Sequence, residues 1–123
     1  MMKGNHMKNL EAYVNHIRED YRQWMSRCSA ADQDSVRDRI RQEMIEEFVS
    51  NVRVEEGKKF LKVITGKPGG NVGVHSFIVK KTEGKFVEGD ILKAASWNAP
   101  AKNFARGNIL EKTFGRVRWT GAN

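Results

Sequence analysis

Cysteine is nearly absent from this chain. Cys28 stands alone, so no internal disulfide can form, and a reducing compartment, the cytosol, is the expected home. No apolar run approaches the ~20 residues of a membrane span, and no positively charged leader precedes an apolar stretch, so neither a membrane anchor nor secretion is expected. Histidine occurs only at positions 6, 16 and 75, scattered along the chain. No H-E-x-x-H, C-x-x-C or clustered Asp/Glu pattern supports a metal, and no serine lies in a nucleophile-elbow context. The carboxylates concentrate in the second helical stretch, interleaved with arginine, which lowers their value as acid–base pairs. The expectation is a protein that is not an enzyme and uses no cofactor or metal.

What is present is a globular profile. The 123 residues are 39% hydrophobic and 30% charged, which argues against disorder and fits a single domain. The net charge of +7 is unevenly placed. Residues 1–50 carry 8 Lys+Arg against 9 Asp+Glu, whereas residues 51–123 carry 14 against 6. A basic half beside a near-neutral one suggests an anionic partner such as nucleic acid, nucleotide or phosphate. The plainer alternative is that the excess only keeps the protein soluble.

The opening Met1 to Lys8 reads as a disordered tail, and residues 1–6 as a mis-assigned start upstream of Met7. From Leu10 the apolar positions Tyr13, Val14, Ile17, Tyr21, Trp24, Met25 and Cys28 recur in steps of three and four, predicting a helix with Asn9 as its N-cap. Ser29 and Asp32 suggest a capping box for a second helix, with Val36, Ile40, Met44, Ile45, Phe48 and Val49 as its stripe. Residues 9–50 thus form an antiparallel hairpin. Its aromatic surplus (Tyr13, Tyr21, Trp24) suggests an oligomer seam.

Beyond Asn51 the period changes to two. Phe60–Ile64 and Val74–Lys80 predict paired strands, with Ile91–Trp97 and Thr113–Thr120 as further strands. Gly66–Gly73 is the one glycine-rich run. Its spacing fits neither a P-loop nor a dinucleotide fingerprint, and strands flank it on both sides, so it reads as a mobile hairpin loop. The fold class is α+β: a two-helix hairpin, then an antiparallel sheet of about four strands over residues 51–123.

The β region also carries the candidate binding groups. Alternation along the last strand would set Phe114, Arg116, Arg118 and Thr120 on one face, opposite Val117 and Trp119. Arginine forks grip phosphates and an aromatic ring stacks on a base, so Arg116 and Arg118 are expected to share one pyrophosphate. Lys93, Lys102, Arg106 and Lys112 lie upstream, interleaved with Trp97, Asn98, Asn103, Phe104 and Asn108. Each has a plainer role: the arginines as an edge-strand deterrent, Trp97 and Phe104 as core.

Val74-His75-Ser76-Phe77-Ile78-Val79, Asp90-Ile91-Leu92-Lys93-Ala94-Ala95-Ser96-Trp97-Asn98-Ala99-Pro100-Ala101-Lys102 and Ala105-Arg106-Gly107-Asn108-Ile109 resemble a stretch common in small phage proteins. With two leading helices and a late sheet, the chain resembles the first family of phage Thoeris anti-defence "sponge" proteins. That resemblance implies a non-enzymatic homo-oligomer, a hexamer if it holds throughout, in the host cytoplasm. It would sequester cyclic ADP-ribose isomers made by TIR-domain immune enzymes, with cyclic oligonucleotides of CBASS immunity as further ligands. Its ligand-holding residue types match Arg116, Arg118, Arg106, Phe104, Phe86 and Asn98, beside Lys102 from the basic cluster. The alternative is a small basic phage nucleic-acid-binding protein using the same face.

Overall fold

The computed structural model describes residues 4–28 and 35–122, with side chains over 9–26 and 37–122. Helix α1 spans Gly4–Cys28 and buries Leu10, Tyr13, Val14, Ile17, Tyr21 and Met25, the stripe its periodicity predicts. Helix already exists over residues 4–8, where a tail was expected. Once Leu10 to Ile17 are anchored, extending the helix upstream adds one hydrogen bond per residue without a new nucleus. Asn9 is therefore not a cap but an internal residue, whose side-chain amide donates to the Leu110 carbonyl at 3.4 Å. The Ser29/Asp32 box and the side chains of Cys28 and Val36 lie outside the described residues.

Helix α2 spans Ser35–Asn51 and runs antiparallel to α1, since Arg18, Tyr21 and Met25 meet Val49, Phe48 and Ile45 in reverse order. Tyr21 stacks on Phe48 at 4.2 Å and 16°, and Trp119 packs edge-on against both. Arg18 donates to the carbonyls of Val49 (3.0 Å) and Val52 (3.2 Å), satisfying acceptors that the end of α2 leaves open. The expected seam on α1 is largely absent: Tyr13, Tyr21 and Met25 are buried within the protomer, and Trp24, 41% exposed, packs on Trp119 at 5.1 Å. The sheet and the C-terminal segment absorb the aromatic surplus. Among the described residues no helix is long and apolar enough to cross a membrane.

The chain then forms an antiparallel sheet in the order β1(Arg53–Glu56), β2(Phe60–Thr65), β3(Gly73–Val79), β4(Ile91–Lys93). The fold is α+β, two helices followed by four antiparallel strands. β2 and β3 are the predicted pair, joined by the glycine loop. Gly66 there has φ 101°, and a Cβ would lie 2.1 Å from the Asn71 carbonyl oxygen, so only glycine fits.

Two strands differ from expectation. β4 ends at Lys93 rather than Trp97, because Ala95 and Ser96 both donate to the Ala99 carbonyl at 3.0 Å and close a tight loop. Pro100 then sits at the outer edge, bridged to Ala94, where its missing N–H costs no ladder bond. Residues 113–120 form turns, not a strand. Their backbone is held by side chains from far away: His16 bonds the Val117 carbonyl (2.8 Å), His75 the Arg118 carbonyl (2.6 Å), and Asp20 accepts from Trp119 N–H (2.9 Å). Phe114 and Val117, expected on opposite faces, are both buried in the same core.

The helices cover one sheet face, where Leu61, Val63, Ile78 and Ile91 meet α1, together with Ile109, Phe114 and Val117. The opposite face carries a second apolar cluster of Phe77, Val79 and Leu92, flanked by Phe60 and Phe86. Among the described residues no helix covers it.

Candidate functional site

Strand parity builds the helix-free face. Leu61 and Val63 point into the helical core, so Phe60 and Lys62 point the other way, beside their cross-strand partners Val79 and Phe77. Phe60 and Phe77 meet edge-to-face at 5.9 Å. The chain leaving β3 folds back as a loop, with Glu83 and Phe86 exchanging backbone hydrogen bonds at 2.9 and 3.2 Å around Gly84 (φ 62°). That turn swings Phe86 onto the cluster and lifts lysines around it.

The result is a pocket of about 300 Å³ lined by Lys59, Phe60, Val79, Lys81, Glu83, Gly84, Lys85, Phe86 and Lys102. Its floor is apolar and aromatic. Its rim, among the described residues, holds four lysines against one glutamate, and Glu83 lies 3.6 Å from Lys59. Lys85 Nζ stands 5.3 Å from the centre of the Phe86 ring and donates to the Asn103 carbonyl at 2.6 Å. Lys102 Nζ stands 5.8 Å from the Phe60 ring centre. An adjoining groove of about 200 Å³ shares Lys59 and Phe60 and adds Lys58, Lys62, Phe77 and Asn98. There Lys62 Nζ bonds Asn98 Oδ1 at 3.3 Å and lies 4.9 Å over the Trp97 ring.

A buried polar hub fixes the loop that carries Phe86. Asn108 donates through Nδ2 to the Glu88 carbonyl (3.1 Å) and Asp90 Oδ1 (2.9 Å), and its Oδ1 accepts from Leu110 N–H at 2.8 Å. Asp90 Oδ2 accepts from Val87 N–H at 2.9 Å. Asn108 is thus committed to internal bonds rather than to a base edge. At Gly107 (φ 151°), a Cβ would sit 2.1 Å from the Thr113 carbonyl oxygen. The close approach there is made by the chain itself.

The predicted site residues divide into three groups. Phe86 and Lys102 line the pocket, and Asn98 lines the adjoining groove. Phe104 and Arg106 stack on each other at 3.8 Å, flanking Ala105, which packs against the helix-free cluster; Phe104 is 57% exposed and Arg106 Nε is buried without a partner. Arg116 and Arg118 join neither group, since no strand presents them. Arg116 is exposed in a turn, and Arg118 lies 3.4 Å from Asp20 beside α1. Sequence reasoning missed Lys59, Lys81, Lys85 and Phe60. The available signal was the pairing of two hairpin strands, each flanked at the open end of the hairpin by a lysine doublet, Lys58-Lys59 before the first and Lys80-Lys81 after the second.

A serine–histidine pair exists on the other side of the sheet. Ser76 Oγ is 2.9 Å from His75 Nδ1 and 2.7 Å from the Tyr13 hydroxyl. The Arg118 carbonyl can only accept, so His75 Nε2 carries the proton and Nδ1 accepts from Ser76, which in turn accepts from Tyr13. Ser76 has no exposed surface, so its hydroxyl serves as a buried connector rather than an accessible nucleophile. Burial holds the His75 pKa below its ordinary value, opposed by the Arg118 carbonyl and aided by nearby His16. Among the described residues no group of His, Cys, Asp or Glu could hold a metal ion.

No curated protein and no solved structure matches the chain. A family model covers residues 2–123, and by that match the chain belongs to the family of unknown function DUF7717.

Proposed function

We propose that the protein binds small phosphorylated nucleotides in the lysine-rimmed pocket of its helix-free sheet face and holds them without turning them over. The observation that carries this reading is the pairing of an aromatic floor, Phe60 and Phe86, with a rim of Lys59, Lys81, Lys85 and Lys102. A purine stacked on such a ring contributes about 1–3 kcal/mol, and each charge-assisted phosphate contact about 1.5–3 kcal/mol. The resemblance to Thoeris sponge proteins narrows the ligand to cyclic ADP-ribose isomers, sequestered in the host cytoplasm, with CBASS cyclic oligonucleotides as a wider class. Thermal-shift screening against these compounds tests the reading, because tight binding raises apparent stability by mass action. Ligand recovered intact after heat denaturation supports sequestration; hydrolysed product accumulating in proportion to protein contradicts it.

A second reading, single-stranded nucleic acid, is favoured by a separate observation. Trp97 and Phe104 are large, exposed platforms outside the pocket, each with a cation over its ring. Salt separates the two. Strand binding weakens steeply as counterions are released, whereas a nucleotide in a pocket responds far less.

A further inference from the structure

Helix α2 carries two apolar stripes, and among the described residues only one packs in the hydrophobic core; the other borders a shallow cleft beside the glycine loop. Ile45, Phe48 and Val49 pack on α1, while Ile40 and Met44, one turn apart, remain 51% and 49% exposed. Arg37, Ile40, Met44 and Glu47 follow one another in steps of three, four and three, and all four are exposed. That spacing makes them one continuous seam, of the kind through which two helices pack.

The charge order along the seam selects the occupant. α2 has Arg37, Arg39 and Arg41 in its first half and Glu43, Glu46 and Glu47 in its second, with Asp38 the exception. We infer that two copies of this chain pair through α2, antiparallel, about a twofold axis beside Gln42. Seam positions equidistant from the level of Gln42 then face each other. Ile40 meets Met44 of the second copy, and Arg37 meets Glu47 of the second copy, each contact occurring twice. A parallel pair would set arginine against arginine and glutamate against glutamate. The seam is therefore self-complementary in one direction only. Its short span is small beside a standard interface, so the pairing is weak and concentration-dependent.

Sedimentation velocity of the full chain, from about 1 to 200 μM, tests the pairing. The wild type should shift from monomer to dimer across that range. Arg37→Glu or Glu47→Arg alone should raise the dissociation constant about tenfold, by replacing two attractions with two repulsions. The double variant Arg37→Glu/Glu47→Arg should return it to within about threefold of wild type. Ile40→Gln/Met44→Gln, which keeps good helix formers and removes the apolar pair, should abolish the dimer without altering the circular dichroism spectrum. A wild type that is monomeric throughout, single reversals that associate as wild type does, or a double reversal no better than the singles would each overturn the inference.

Discussion

At the scale of single residues, the most constrained group is His75. Its Nδ1 must stay unprotonated to accept from Ser76, and burial keeps its pKa below the ordinary 6.5. The unfolded chain therefore binds the proton first. Stability should be complete above pH 6.5 and fall as the pH drops below it towards the depressed folded value. Urea denaturation at pH 8, 6 and 5 should show this loss, and His75→Gln should flatten that part of the profile. Tyr13→Phe removes one buried hydroxyl from the same chain and should cost about 1 kcal/mol in the same assay. Within the pocket, Phe86→Ala should weaken nucleotide affinity roughly tenfold, by removing a stacking plane. Lys102→Ala should weaken it about tenfold, the lower end of the range for one charge-assisted phosphate contact. Arg116→Ala should leave affinity within about twofold of wild type, since its exposed turn contributes no wall to the pocket. Calorimetric titration of the three variants separates them.

At the scale of elements, what was legible depended on where each backbone found its partners. The helices and the β2–β3 hairpin bond locally, so the positions of Tyr13, Ile17, Phe77 and Ile78 followed from periodicity alone. Strand β1 offers only four residues, two of them glutamate, too few to establish a period. Residues 113–120 alternate as a strand would, yet their carbonyls and amides are held by His16, His75 and Asp20, contacts across dozens of residues that no local pattern reports. The expected arginine pair failed for that reason. The pocket was half legible: basic and aromatic interleaving pointed to Lys102 and, in the adjoining groove, to Asn98, and the family resemblance to Phe86, whereas Lys59, Lys81 and Lys85 join them only through strand register and the Gly84 turn. Asp20, whose side chain is only 10% exposed, should accordingly matter to stability. Asp20→Ala leaves Trp119 N–H unpaired and releases Arg118, and should lower the melting temperature by several degrees, on the order of 1–2 kcal/mol.

At the scale of the whole molecule, the charge asymmetry of the sequence becomes a division of surfaces. The near-neutral first half forms the helical layer, and the basic second half forms the sheet, whose helix-free face carries the lysine-rimmed pocket. The proposed ligand pocket and the proposed α2 seam thus occupy different faces, and α2 variants should leave nucleotide affinity unchanged. The central claim is the location of the ligand. Two-dimensional ¹H–¹⁵N NMR of the uniformly labelled protein, titrated with cyclic ADP-ribose isomers, tests it directly. The account predicts saturable shifts concentrated at Lys59–Phe60, Lys81–Phe86 and Lys102. Absence of shifts with any isomer, or shifts confined to Arg116–Arg118 beside α1, would contradict it.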